Sequence, residues 1–175
     1  MVGAIAKAQG VDPSDLVAIG MVESGLKSKV RPGKGTAKGL FQFINSTWAR
    51  ELKKHGKRLG IPPGTSVYDE TANTLLAIEF MKGNREYLKG KPGVPKKPTA
   101  IDDYMAHFLG MGDAAKFYKE RADSPNALGK DVLKRAASNN PNVFFHGKNG
   151  TGRAKTLEEI YTGFKKKLRA HGARV

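Results

Sequence analysis

The 175-residue sequence predicts a mostly α fold in a single domain, residues 1–175, with at most a small β element between Thr36 and Phe43. Three observations carry this expectation. Apolar residues recur at helical spacing in stretches separated by Gly and Pro breaks, capping signals stand at the starts of those stretches, and alternating strand patterns are nearly absent. No internal repeat is visible, and the length suits one well-buried core but is short for two.

Each element follows from its own residues. Asp12 before Pro13 reads as an N-cap with proline at the first helical position, Asp15 adds an acidic first turn, and Gly25 is placed to stop the helix. Leu16, Ile19 and Glu23 share its apolar stripe. A second helix is expected after Ser46, carrying Trp48 and Leu52 and extending towards Leu59. The break Ile61-Pro62-Pro63-Gly64 precedes a long helix over 69–88, with Ala72, Leu76, Phe80 and Tyr87 on one stripe. Residues 89–98, KGKPGVPKKP, read as an exposed loop. Thr99 and Asp102 form a capping box for a short helix holding Tyr104, His107 and Phe108. Gly110-Met111-Gly112 breaks it before another short helix that reaches Arg121. Ser124-Pro125 is expected to open a helix running to Ser138. Thr156 with Glu159 is a further capping box, opening a terminal helix with Ile160, Phe164 and Leu168 at core spacing.

Composition narrows the functions. Lys and Arg number 31 against 16 Asp and Glu, a formal net charge of +15, so the chain is drawn to polyanions such as nucleic acid, anionic lipid or an acidic wall polymer. The cations are spread along the chain with acids interleaved, which is the pattern of a solvated surface. No dense Arg/Lys helix, zinc-ligand pattern or base-stacking motif is present, so no specific nucleic-acid partner is expected. The absence of cysteine rules out thiol chemistry and cysteine-based metal sites, and neither metal nor cofactor is expected. No run approaches a membrane span. The start, MVGAIAKAQGVDP, has no basic leader followed by a sustained apolar core, so no secretory signal is expected.

The chemistry concentrates in residues 22–48, VESGLKSKVRPGKGTAKGLFQFINSTW. Glu23 closes an amphipathic helix, and sixteen residues later comes Gly39-Leu40-Phe41-Gln42-Phe43. Continuing the Leu16/Ile19 stripe, Glu23 faces the interior or a cleft floor. It also stands at the negative end of the helix dipole, and both circumstances push a carboxyl pKa upward. A glycosidic general acid needs that shift. The alternative for such a glutamate is a tertiary salt bridge. Gly39 permits close approach of backbone to a ligand. The Gln42 amide can donate and accept toward an N-acetyl group, or serve as a buried amide satisfying backbone.

These two segments resemble the first two motifs of the soluble lytic transglycosylase and goose-type lysozyme superfamily, whose members cut the glycan strands of peptidoglycan. The resemblance implies a lysozyme-like fold, with Glu23 as the catalytic acid and Gln42 lining the glycan site beside Gly39. Ser24 follows the acid as in the family, and its own chemistry points to local hydrogen bonding at the helix end. The third family motif, Ala-Tyr-Asn followed by glycines, is met by Ala106-His107-Phe108-Leu109-Gly110-Met111-Gly112. The alanine and glycines match, while His107 and Phe108 replace Tyr and Asn. That variant looks like a branch found in phage-encoded lytic enzymes. Tyr104 and His107, three apart on a helix, are candidates to orient the acid or a sugar, and His107 reads equally as a satisfied interior histidine. Residues 69–81 resemble the helix between the second and third motifs, with a family Asn at Asn73 and an aromatic at Phe80. Glu79 there reads as a second carboxylate near the cleft or as a rim charge paired with a lysine.

Together these imply cleavage between N-acetylmuramic acid and N-acetylglucosamine with no cofactor. The expected route is 1,6-anhydro ring formation; the alternative is a hydrolytic muramidase recruiting Glu79 or Asp69. A nonenzymatic basic wall-polymer or nucleic-acid-binding module and an inactive structural relative in a phage tail are the competing readings. The expected partner is peptidoglycan, with contact to an anionic outer-membrane surface through the basic charge, and the chain is expected to be a monomer. The expected setting is a phage endolysin or virion-associated lysin, made in the host cytoplasm and acting in the periplasm or cell wall.

Overall fold

The computed structural model describes residues 1–30 and 36–175; residues 31–35, within the glycine-rich excursion after Glu23, lie outside the described residues. Among the described residues helix dominates, and β structure is limited to isolated antiparallel bridges, one of them between Lys38 and Phe43 where a small β element is expected. The chain packs as two compact units, residues 1–83 with 168–175, and residues 84–167.

The first unit opens with α1, Val2–Ala8, which sequence periodicity does not announce because two turns are too short for a stripe and Met1 supplies no side-chain cap. It packs on α2, Pro13–Ser24. The Asp12 carboxylate accepts the Ser14 N–H at 2.9 Å and the Ser14 hydroxyl at 2.6 Å, and Gly25 ends the helix in the left-handed conformation (φ 63°). Leu16 and Ile19 are buried as the stripe predicts. Helix α3 spans Asn45–Leu59, starting one residue before Ser46. Helix α4 spans Glu70–Leu88, and the Asp69 carboxylate accepts the Ala72 N–H at 2.8 Å.

Ala72 and Leu76 are buried and Phe80 is partly so, but Tyr87 is 43% exposed. The buried side of α4 changes near its end. Asn84 and Leu88 turn inward, Leu88 packs with Ala106 and Ala114, and Tyr87 is left outside with the Lys91 ammonium 4.4 Å from its ring centre.

Helices α3 and α4 are joined by charge. Glu79, only 9% exposed, takes Arg58 at 2.5 Å, Lys82 at 3.0 Å and His55 Nδ1 at 3.6 Å. His55 Nε2 lies 3.6 Å from the buried Glu51, which Arg50 meets at 2.9 Å. Burial works to raise the Glu79 pKa, but the Lys82 hydrogen bond and the charges of Lys82, Arg58 and His55 outweigh it and hold the carboxyl below its ordinary value. Glu79 is thus ion-paired with α3 as well as with its own helix.

The second unit contains α5 (Ala100–Leu109), α6 (Met111–Asp123), α7 (Gly129–Val132), α8 (Lys134–Asn139), α9 (Pro141–Phe144) and most of α10 (Leu157–Ala170). The capping box at α5 forms, with the Thr99 N–H donating to Asp102 at 2.8 Å. Gly110 alone makes the break before α6; Met111 and Gly112 are already helical. The single helix expected from Ser124-Pro125 to Ser138 does not form. The backbone of residues 127–129 is engaged with residues 155–157 instead: Gly129 N–H donates to Lys155 O at 3.0 Å and Leu157 N–H to Ala127 O at 2.9 Å. Helix therefore starts only at Gly129 and is interrupted at Leu133 (φ −125°, ψ 60°).

At the start of α10, Thr156 and Glu159 bond reciprocally at 2.9 and 3.1 Å. The helix buries Leu157, Ile160, Tyr161, Phe164 and Leu168 and exposes Lys166, Lys167 and Arg169. Its apolar face belongs to the interior, so only its cationic side meets solvent. Beneath it Asp102 accepts the Tyr118 hydroxyl at 2.5 Å, and burial followed by the charge of Asp102 drives the Tyr118 pKa far up. Arg121 lies 3.7 Å over the Tyr161 ring and meets Glu158 at 2.7 Å.

Two predictions follow from these buried pairs. Tyr118→Phe removes a hydrogen bond to a buried carboxylate and is expected to lower stability by roughly 1.5–3 kcal/mol in denaturant melts. Glu79 has a lowered folded-state pKa, so its contribution is present above the ordinary glutamate value of 4.5 and fades as pH falls through the folded value. Glu79→Gln should therefore melt below wild type at neutral pH, and the gap should close in melts near pH 3.

Candidate active site

The candidate acid stands in the last turn of α2, half-buried, on a helix with no basic residue in that turn. The chain then turns sharply through two left-handed residues, Gly25 (φ 63°) and Leu26 (φ 58°), and the Leu26 N–H returns to Gly20 O at 3.3 Å. Ser24 acts at this end as its chemistry suggests: its hydroxyl lies 3.4 Å from Gly20 O and accepts the Lys27 N–H at 3.2 Å.

The Gln42 turn is built by a closed pair, Lys38 and Phe43, which exchange two backbone hydrogen bonds of 2.9 Å each. Between them Gly39 (φ 77°) and Gln42 (φ 48°) are left-handed. Gly39 cannot carry a side chain, because a Cβ would fall on the Val67 carbonyl oxygen and 2.5 Å from Asn73 Nδ2. The Gln42 Nε2 donates to Gly39 O at 2.8 Å, so the side chain folds over its own turn. Leu40, Phe41 and Phe43 are buried, and Phe43 meets Trp48 edge-on at 5.6 Å and Phe80 at 6.0 Å.

The turn reaches α2 at Gly20. A Cβ there would lie 2.7 Å from Leu26 Cδ2 and 3.5 Å from the Phe41 ring. Position 20 is one turn before Glu23 on the same side of α2, so Phe41 seats the Gln42 turn alongside the helix face that carries the acid. Sequence reasoning does not single out Gly20, although an interior helical glycine, costing about 1 kcal/mol against alanine, is a signal of close packing. It likewise takes Asn73 only as a family match, without its contacts.

Neither carboxylate named as a water-activating alternative is idle. Asp69 caps α4 and Glu79 is held by Arg58, Lys82 and His55. Tyr104 and His107 belong to the second unit. The Tyr104 ring is buried, stacked on Phe108 at 6.3 Å and edge-on to Phe164 at 5.0 Å, while His107 is half-buried in the last turn of α5. Next to Tyr104, Asp103 is gripped by Arg85 through two bonds of 2.5 and 2.6 Å.

A family model for the transglycosylase SLT domain matches residues 1–121. The match takes in Glu23, the Gly39–Phe43 turn, Asn73, Glu79, Tyr104 and His107, and it ends within α6. That matched span covers more than half of the residues and makes this chain a member of the transglycosylase SLT domain family, whose chemistry is cleavage of peptidoglycan glycan strands.

Proposed function

We propose that this protein is a lytic transglycosylase in which Glu23 is both acid and base. Glu23 protonates the glycosidic oxygen between N-acetylmuramic acid and N-acetylglucosamine, and the bond to the muramic C1 breaks. The resulting carboxylate takes the proton of the muramic C6 hydroxyl, whose oxygen attacks C1 and closes a 1,6-anhydro ring. No water enters the product, and Glu23 ends protonated as it began. Gln42, on the turn seated beside α2, contacts the glycan.

The observation that carries this reading is the packing of Phe41 on Gly20, which sets the amide turn against the face of α2 that bears the acid. The engagement of Asp69 and Glu79 supports it further. Inverting hydrolysis asks for a second carboxylate free to activate water, about 6.5–9.5 Å from the first, and both named candidates are committed to other partners. As biological setting we propose a phage-encoded lysin, on the variant third motif around His107 and Phe108. Because the apolar face of α10 is buried, the protein depends on delivery to the wall. Added from outside it should clear permeabilised Gram-negative cells; rapid clearing of intact cells would overturn that dependence.

The decisive experiment is mass spectrometry of muropeptides released from purified peptidoglycan. Products one water lighter than the hydrolytic ones, ending in anhydromuramic acid, are expected, and reducing-end products would make the protein a muramidase. Glu23→Gln should lose at least about 10²–10⁴-fold in turnover, the range of positioned acid–base catalysis, and full activity in that variant would remove Glu23 from the mechanism.

A further inference from the structure

We propose that Asn73 is the positioning residue for glycan recognition, acting through the turn that carries Gln42. The inference rests on the reading of Gln42 as a glycan contact. Asn73 is fully buried on α4, and its two polar atoms hold two separate segments. Its Oδ1 accepts the Phe41 N–H at 2.9 Å, and its Nδ2 donates to Val67 O at 2.7 Å. Since a backbone N–H only donates and a carbonyl only accepts, these partners fix which way the Asn73 amide faces.

The consequence reaches Gln42. Phe41 and Gln42 are adjacent, and Gln42 is left-handed (φ 48°), a conformation that a non-glycine residue keeps only where its surroundings impose it. Asn73 imposes it from one side by holding the Phe41 N–H, and the absence of a Cβ at Gly39 lets the turn settle against the Asn73 amide. Within the turn, Gly39 O takes the Gln42 backbone N–H at 3.3 Å and Nε2 at 2.8 Å. That carbonyl likewise fixes the Gln42 amide: Nε2 faces the turn, and Oε1 is left as an acceptor with no partner among the described residues. The turn therefore offers a fixed acceptor suited to an N–H donor, such as that of an acetamido group on the glycan. Asn73 never touches the sugar; it sets the direction of the oxygen that does.

The test measures affinity for purified glycan strands, with all proteins in the Glu23→Gln background so that no turnover intervenes. Asn73→Asp keeps an acceptor for Phe41 but opposes a carboxylate to Val67 O. Asn73→Ala, which adds no charge to the buried site, is run alongside, and thermal melts show which proteins are folded. Either folded variant is expected to bind about 5- to 10-fold more weakly, the effect of one mispositioned hydrogen bond. Repeated with Gln42→Ala, the same substitution should cost almost nothing more, because the atom it positions is gone. Equal losses in both backgrounds, or a lower melting temperature with unchanged affinity, would reduce Asn73 to a structural residue. This readout is separate from the product analysis, so the positioning role can fail while anhydro products still form, and a muramidase outcome leaves the affinity cycle intact.

Discussion

The buried Asn73 amide is the interaction on which the geometry of the candidate site depends. It ties Phe41 and Val67 to α4, and Phe41 lies 32 residues away in sequence. A single pair such as Lys38–Phe43 is too small to hold a shape by itself in water. Its form has to be imposed from outside, and α4 imposes it through two hydrogen bonds in a dry environment, where leaving either partner unmade costs about 1–3 kcal/mol. The dependence runs one step further back. Helix α4 is set against α3 by Glu79, His55 and Glu51, and Arg50 and Phe80 link that cluster to the aromatic group around Phe43 with the guanidinium 5.8 Å from the ring centre. A charge cluster on two helices thus supports the uncharged residues 39–42 of the turn.

The charge of +15 divides into two kinds of work. Arg58, Lys82, Arg85 and Arg121 neutralise carboxylates at half-buried pairs and contribute to the fold. At the surface, Arg153 and the Thr156 backbone hold the Glu159 carboxyl down at about 2, which keeps the α10 cap ionised through ordinary acid conditions. Lys53, Lys54 and Lys57 on α3 and Lys166 and Lys167 on α10 stand exposed. They give the protein a positive field at its surface, one that is screened as ionic strength rises. The sequence of α10 looks amphipathic, yet its apolar residues are core residues, so insertion into a bilayer would require it to leave its own packing.

What was legible in the sequence is what neighbours in the chain decide. The caps at Asp12, Thr99 and Thr156 and the stop at Gly25 depend on residues two to four positions away, and each forms. The candidate acid and the amide turn were legible as residue types at a fixed spacing. Contacts between distant segments were not. The helix expected before Ser138 loses its first residues to pairing with residues 155–157, a competition no local pattern displays. Tyr87 fits the stripe of α4 but falls where the buried side of the helix changes. The partners of Glu79 are equally hidden in the sequence, because Arg58 and His55 approach it from α3.

Strain points to the same place. Among the described residues, the non-glycine positions with left-handed backbone are Leu26, Gln42 and Asn149. The last sits at the tip of an exposed loop, where asparagine tolerates that conformation well. Leucine and glutamine do not, and each such residue costs of order 1–3 kcal/mol unless its surroundings determine it. Leu26 turns the chain away soon after the candidate acid, and Gln42 folds its amide over the Gly39 turn. Leu26 and Phe41, the neighbour of Gln42, meet α2 at Gly20, where the missing Cβ admits the Leu26 side chain and the Phe41 ring to the body of the helix. A helix with alanine at position 20 and relaxed turns at 26 and 42 would be easier to fold. It would also lose the close seating of the amide turn against the helix that ends in Glu23, and it is that seating which makes the strain intelligible as part of a site.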